Sequence, residues 1–101
     1  MPNAQPQPSP TFAALSSELT RLHDAREAAI GRALDTLETS HPPLAQLMLC
    51  CIGDRQRAAR WLVMPQRAFA GRSACDMLAD GDVDAVWDQV VYKEFGAVAA
   101  L

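Results

Sequence analysis

Residues 54–96 decide the fold of this chain, and they read DRQRAARWLVMPQRAFAGRSACDMLADGDVDAVWDQVVYKEFG. Pro65 follows a Trp-Leu pair by three residues, and a helix is expected to end there because residues before a proline avoid the helical region. Gly71 and Gly81 supply backbone angles that residues with a side chain resist, so turns are expected at both positions. The stretch therefore predicts several short helices separated by turns.

Local signals mark the beginnings of these helices. Asp54 and Asp82 are suited to cap the helices that follow them, because an aspartate side chain accepts hydrogen bonds from free backbone N–H groups. Ser73 with Asp76 three residues later has the pattern of a capping box. The apolar face that we predict to be buried on the last helix comprises Val83, Val86, Trp87, Val90 and Val91.

Upstream, the sequence predicts a disordered tail over residues 1–10 and one long helix over residues 11–40. The tail has four prolines and no apolar periodicity, so it has little to bury. His41-Pro42-Pro43 stops the long helix, and residues 43–101 form a helical domain behind it. The predicted fold is therefore all-α, a small single-domain bundle of about five helices. The apolar residues at helical spacing on the long helix are Leu15, Leu19, Leu22, Ala29, Ile30, Ala33 and Leu37.

Composition excludes several classes of protein. With 101 residues the chain has the length of one domain, and its net charge of −3 disfavours a protein that mainly binds phosphates. No apolar run reaches the roughly 18 residues of a membrane span, so no membrane is expected as a partner. The three cysteines form no plausible disulfide framework and indicate a reducing cytoplasm, with Cys50 and Cys51 expected to fill core space.

The sequence predicts no enzyme, because no residue pattern supplies a reaction. The cysteines lack the paired spacing and the histidine partners of a zinc site, so no metal is expected. No serine stands in a nucleophile elbow, and no glycine-rich loop could hold phosphates, so we expect neither a catalytic residue nor a cofactor. His23 and Glu27, four residues apart on one helix, are interpreted as a solvated pair.

The charge pattern suits either an ordinary surface or a recognition face. Five arginines fall between Arg55 and Arg72, and five aspartates follow between Asp76 and Asp88. A solvated surface with a basic and an acidic side explains this distribution. A recognition face explains it as well, because the planar guanidinium of arginine suits carboxylates and phosphates and is enriched at interfaces.

The motifs around Trp61 resemble the toxin-binding domain of Xre/MbcA/ParS-type bacterial antitoxins, over about residues 50–98. In that family a helix ends in Ala-x-x-Trp-Leu, a proline follows three residues later, and glycines close the next turn and the last two helices. Ala58 and Gly96 bound the matching positions in this chain. The residues between them that we expect to carry the fold are Trp61, Leu62, Pro65, Gly71, Leu78 and Gly81.

The resemblance implies that residues 43–101 bind and neutralise a protein toxin. The implied toxin is of the RES class, which degrades NAD, and the antitoxin blocks the active-site cleft of the toxin. Family members use the last helix, the carboxyl end and nearby polar residues for this purpose. The implied partner-binding residues here are Arg67, Arg72, Tyr92, Lys93, Phe95 and Val98.

Two alternatives stay open. One is a DNA-binding regulator that contacts phosphates through its arginines, although the complete helix-turn-helix of the family is not visible before Pro43. Binding that falls steeply with salt would identify this activity. The other is a self-associating scaffold in which the helix around Leu15–Leu37 pairs with its copy, which would make a homodimer. Thermal stability that depends on protein concentration would identify that arrangement.

Overall fold

The computed structural model describes residues 9–92 of the chain. Within that range it contains five α-helices, one 3-10 helix and no strand, which confirms the predicted all-α fold class. Residues 1–8 of the predicted tail lie outside the described residues. The elements are α1 (Pro10–Ser40), α2 (Pro42–Ile52), α3 (Arg55–Val63), the 3-10 helix (Arg67–Phe69), α4 (Ala74–Ala79) and α5 (Val83–Val90).

Prolines and glycines separate the first three helices. α1 begins at Pro10, where a missing N–H costs nothing, and the side chain of Ser9 accepts from the backbone N–H of Phe12 at 3.4 Å. Pro42 stops α1 and at the same time opens α2, so that one residue separates the two helices. α2 ends at Gly53, whose φ of 84° lies in the left-handed region that glycine adopts without strain.

The predicted caps of the last three α-helices are confirmed. The carboxylate of Asp54 accepts from the backbone N–H of Gln56 at 2.9 Å, and that of Asp82 accepts from Ala85 at 3.2 Å. Ser73 and Asp76 form a complete capping box, in which each side chain accepts from the backbone N–H of the other residue. Each cap satisfies backbone donors that a helix leaves free at its first turn.

The core is formed by the carboxyl-terminal half of α1 together with the four shorter helices, of which α2 and α3 pack on α1. Ile30, Leu34 and Leu37 supply the buried face of α1, and α2 and α3 pack against it. α5 packs on α2 and α4 through Val86 and Val90. The remaining buried apolar residues are Leu44, Ala45, Met48, Ala58, Ala59, Trp61, Leu62, Phe69 and Ala74.

Two expectations about burial were wrong. Cys50 is exposed, not a core residue, because it lies on the outer side of α2. Trp87 of α5 and Val91, the residue that follows α5, are 37% and 38% exposed, so the buried face is narrower than the apolar pattern predicted. Every residue of α1 from 10 to 26 is exposed as well, because α2 and α3 cover only its other half.

Candidate protein-binding surface

Two of the predicted partner-binding residues lie on one closed loop. The backbone N–H of Gln66 donates to the carbonyl of Arg72 at 3.0 Å, and Gly71 donates back to the carbonyl of Gln66 at 2.9 Å. The turn needs positive φ angles at Ala70 (56°) and Gly71 (86°). The loop therefore holds Arg67 and Arg72 between α3 and α4 by backbone hydrogen bonds.

Arg72 has partners within the protein, whereas Arg67 has none among the described residues. The guanidinium of Arg72 lies 2.7 Å from a carboxylate oxygen of Asp80 and also donates to the carbonyl of Asp76 at 3.3 Å. The hydrogen bond to Asp80 raises the pKa of Arg72 above its ordinary value. Arg67 is exposed, and its guanidinium forms no hydrogen bond or ion pair with any residue in the range 9–92. Arg67 is thus available to a partner, whereas Arg72 fastens the loop to α4.

Two of the three arginines of α3 form ion pairs with α1. Arg55 donates to both carboxylate oxygens of Glu38 at 2.7 and 2.8 Å and to Asp35 at 3.1 Å, and its hydrogen bonds lower the pKa of Glu38. Arg60 lies 2.7 Å from Glu27. Both arginines therefore tie α3 to acidic residues of α1. They add little stability because they are exposed to solvent, but these carboxylates offset much of the positive charge that a phosphate-binding surface needs.

One side of α5, on which the sequence predicts that Trp87 and Val91 are buried, meets solvent instead. Trp87 and Val91 are about one-third exposed, and Tyr92, on the helical backbone that continues beyond α5, is 80% exposed. Asp84 and Asp88 complete this face, which we call the α5 face. The spacing of residues 84, 87, 88 and 91 is that of one side of a helix, and the two aspartates on it were the available signal that it meets solvent.

The described residues do not connect all the predicted site residues into one site. No hydrogen bond or ion pair within residues 9–92 links Tyr92 to the loop that carries Arg67 and Arg72. Lys93, Phe95 and Val98 lie outside the described residues, so their roles stay predictions. Among the residues expected to carry the fold, the structure buries two and half-buries one, and it places the others in connecting segments. These are Trp61 and Leu62 (buried), Leu78 (half-buried), and Pro65, Gly71 and Gly81 (connections).

A polar side chain is buried under the loop. Gln66 is only 4% exposed, and neither its amide nitrogen nor its amide oxygen has a hydrogen-bond partner among the described residues. A buried polar group without a partner costs about 1–3 kcal/mol of stability. The backbone of Gln66 forms the hydrogen bonds that close the loop. The same turn therefore places the Gln66 side chain in the interior and Arg67 at the surface.

We therefore expect Gln66→Leu to raise the free energy of unfolding by about 1 kcal/mol, because the loop backbone is kept and the buried amide is removed. Urea denaturation followed by circular dichroism measures the change. Gln46→Leu, the same substitution at an exposed position of α2, is the matched control and is expected to change stability by less than about 0.5 kcal/mol. A less stable Gln66→Leu variant would show that the amide has a partner in solution.

Residues 9–92 contain neither a membrane-spanning helix nor a cluster of metal ligands. No helix there combines the length and the apolar composition needed to cross a membrane. No group of three or more histidine, cysteine, aspartate or glutamate side chains in that range could hold a metal ion. The accessible features described above are the loop of residues 66–72 that carries Arg67 and Arg72, which we call the arginine loop, and the α5 face.

Comparison with known proteins identifies the helices that carry this surface. Residues 44–90 match the family model of the antitoxin Xre/MbcA/ParS C-terminal toxin-binding domain. The match takes in nearly all of α2, the whole of α3, α4 and α5, and the arginine loop, whereas α1 lies outside it. Neither the curated proteins nor the solved structures gave a match. The members of that family are antitoxins that bind a protein toxin, and residues 44–90 of this chain are similar to their toxin-binding domain.

Proposed function

We propose that this protein neutralises a RES-type, NAD-degrading toxin by covering the active-site cleft of the toxin. The observation that carries the proposal is the match of residues 44–90 to the toxin-binding domain. The resemblance of the same segment to antitoxins of RES toxins supports the choice of toxin class. The cytoplasm is the compartment in which we expect the pair to act, in line with the cysteine content of the chain.

The α5 face has the composition of a binding surface. Trp and Tyr side chains are the most frequent energetic centres of protein interfaces, and Trp87 and Tyr92 are both accessible. Val91 extends the apolar area between them, and a polar rim of the kind found around interface centres is provided by Asp84 and Asp88. We propose this face as the part of the domain that contacts the toxin.

Charge supports contact with a dinucleotide-binding cleft. α5 contains two aspartates and no lysine or arginine, so the α5 face is acidic. An enzyme that binds the diphosphate of NAD needs positive charge or backbone N–H donors in its cleft. An acidic helix with aromatic anchors is complementary to such a cleft. This complementarity gives α5 a physical reason to occupy the site that the substrate uses.

The function is tested by measuring NAD consumption by a purified RES-type toxin, taken from the neighbouring reading frame where that frame encodes one. We expect this protein to stop the reaction at an equimolar ratio. Occlusion further requires that a saturating, non-hydrolysable NAD analogue slow the association of the two proteins. An uninhibited toxin would refute the neutralisation, and association unaffected by the analogue would refute the occlusion of the cleft.

The role of the arginine loop gives a separate prediction. We expect Arg67→Glu to weaken toxin binding by about tenfold, which is about 1.4 kcal/mol, because it reverses the charge of an arginine available to a partner. Arg57→Glu is the matched control, since Arg57 is also exposed and its guanidinium has no ion pair within residues 9–92. Isothermal titration calorimetry compares the two. Equal affinities would remove Arg67 from the proposed surface.

A further inference from the structure

The first half of α1 exposes a row of large apolar side chains. Phe12, Leu15, Leu19 and Leu22 are 74%, 47%, 65% and 59% exposed, and we call this row the α1 stripe. Their spacing of three, four and three residues places them on one side of the helix. No residue of the described chain covers the stripe, because contacts between α1 and the shorter helices begin near Glu27.

We propose that the α1 stripe is the seam of a parallel two-stranded coiled coil formed with α1 of a second copy of this chain. Alternating spacings of three and four residues are those of the a and d positions of a heptad repeat, which meet the same positions of a partner helix. Phe12 and Leu19 then stand at a positions, and Leu15 and Leu22 at d positions. The proposal does not depend on the toxin, since α1 lies outside the toxin-binding segment.

The seam continues beyond the stripe. The next a and d positions are Arg26, Ala29, Ala33 and Thr36, so the pattern extends over about three and a half heptads. The last three of these residues line an open, mostly apolar groove of about 380 Å³ between α1 and α4. Small side chains at these positions let a second helix approach closely. A single polar residue at an a position, such as Arg26, fixes the register of a coiled coil at some cost in stability.

The polar residues beside the seam favour a second copy in parallel orientation. In the heptad frame Glu18 occupies a g position and His23 the following e position, and a parallel pair brings g of one helix beside e of the other. Each Glu18 carboxylate then lies beside His23 of the partner subunit, which can donate a hydrogen bond to it, on both sides of the seam. An antiparallel pair would instead place g positions beside g positions and e beside e, so Glu18 would not meet His23. The polar flanks are thus self-complementary in one orientation.

The large apolar side chains of the stripe also suit the centre of a dimer interface. A stable protein interface buries roughly 1,200–2,000 Å² in total, and its centre is apolar. Two copies of the stripe bring eight large side chains together, each about half to three-quarters exposed in the single chain. The projecting part of α1 has no tertiary contacts of its own, and isolated helices of about 15 residues are marginal in water. A second helix supplies the packing that this part of α1 otherwise lacks.

The test is sedimentation equilibrium of the full chain over a range of concentrations. We expect a dimer that Leu19→Glu weakens at least 100-fold, because the substitution places two carboxylates in the apolar seam. Leu19 is 65% exposed in the single chain, so the variant is expected to keep the core and its circular dichroism spectrum. Ser17→Glu adds the same charge on the opposite side of α1 and is expected to stay dimeric. A monomeric wild-type chain, or a Leu19→Glu variant that dimerises normally, would overturn the proposal.

The orientation is tested by a disulfide. In a chain whose three native cysteines are replaced by alanine, Leu22→Cys places one thiol at a d position of each helix. A parallel pair brings these two thiols together, and oxidation is expected to link the dimer covalently. A dimer that fails to form this disulfide would refute the parallel arrangement. If the α1 stripe became buried only after toxin is added, a second copy of this chain would be refuted as its partner.

Discussion

Replacing Trp61 with alanine is expected to unfold the protein. Trp61 is 6% exposed and lies on α3, which packs against α1, α2 and α4. Truncating a buried tryptophan costs about 3–5 kcal/mol, because the apolar contacts are lost and a cavity remains. A domain of this size has a total stability near the lower end of the usual range of about 5–15 kcal/mol. The loss is therefore comparable with the whole free energy of unfolding.

The chain contains its own control for this experiment. Its other tryptophan, Trp87, is 37% exposed on α5, and Trp87→Ala is expected to cost about 1 kcal/mol of stability because less packing is lost. Thermal unfolding of both variants, followed by circular dichroism, makes the comparison. A native melting curve for Trp61→Ala, or an equal loss of stability in both variants, would contradict the assignment of Trp61 to the core.

Several features of the fold could be predicted because they depend on neighbouring residues. Asp54, Ser73 and Asp82 cap helices by accepting hydrogen bonds from backbone groups two or three positions later. Pro42 ends one helix and begins the next for steric reasons that act within one turn. Gly81 follows α4 with a φ of 83°, as a glycine beyond a helix end does. Local chemistry determines each of these positions.

The features that the sequence did not predict depend on which helices pack against each other. Trp87 looks like a core residue in the sequence, but α2 and α4 cover only the side of α5 that carries Val86 and Val90. The apolar periodicity of α1 is continuous, yet only its carboxyl-terminal half meets other helices. The helices that pack on α1 are α2 and α3, which have 11 and 9 residues and reach only part of a helix of 31 residues. Only the structure shows that residues 10–26 of α1 are not covered by another helix.

The candidate site could be predicted only in part, because some of its contacts also depend on how distant segments pack. The resemblance implies both Arg67 and Arg72 as site residues, and the structure places them on one closed loop. The ion pair between Arg72 and Asp80 could not be inferred, because the two residues are eight positions apart in the sequence. Tyr92 was selected through the family resemblance, and its 80% exposure leaves it accessible. Trp87 was omitted from the site because its hydrophobicity pointed to the core.

The strongest effect on function is expected from the α5 face. Trp87→Ala and Tyr92→Ala are each expected to weaken toxin binding by about 30-fold or more, which corresponds to about 2 kcal/mol. The reason is that aromatic anchors at the centre of an interface are desolvated in a pocket of the partner, so truncation leaves that pocket unfilled. Titration calorimetry with the purified toxin measures the loss, and the assay of NAD consumption shows whether neutralisation falls in parallel.

Met64→Ala is the matched control for this prediction, because Met64 is a large apolar residue that is 48% exposed but lies at the end of α3. It lines a different groove, together with Ile52, Arg57 and Trp61, so its truncation is expected to leave the affinity for the toxin unchanged. If Met64→Ala weakened binding as much as Trp87→Ala, the toxin would have to contact the α3 side of the domain. If neither α5 variant changed the affinity while both kept their helical content, the α5 face would not be the toxin-binding surface, and Arg67 with its loop would become the first place to look for it.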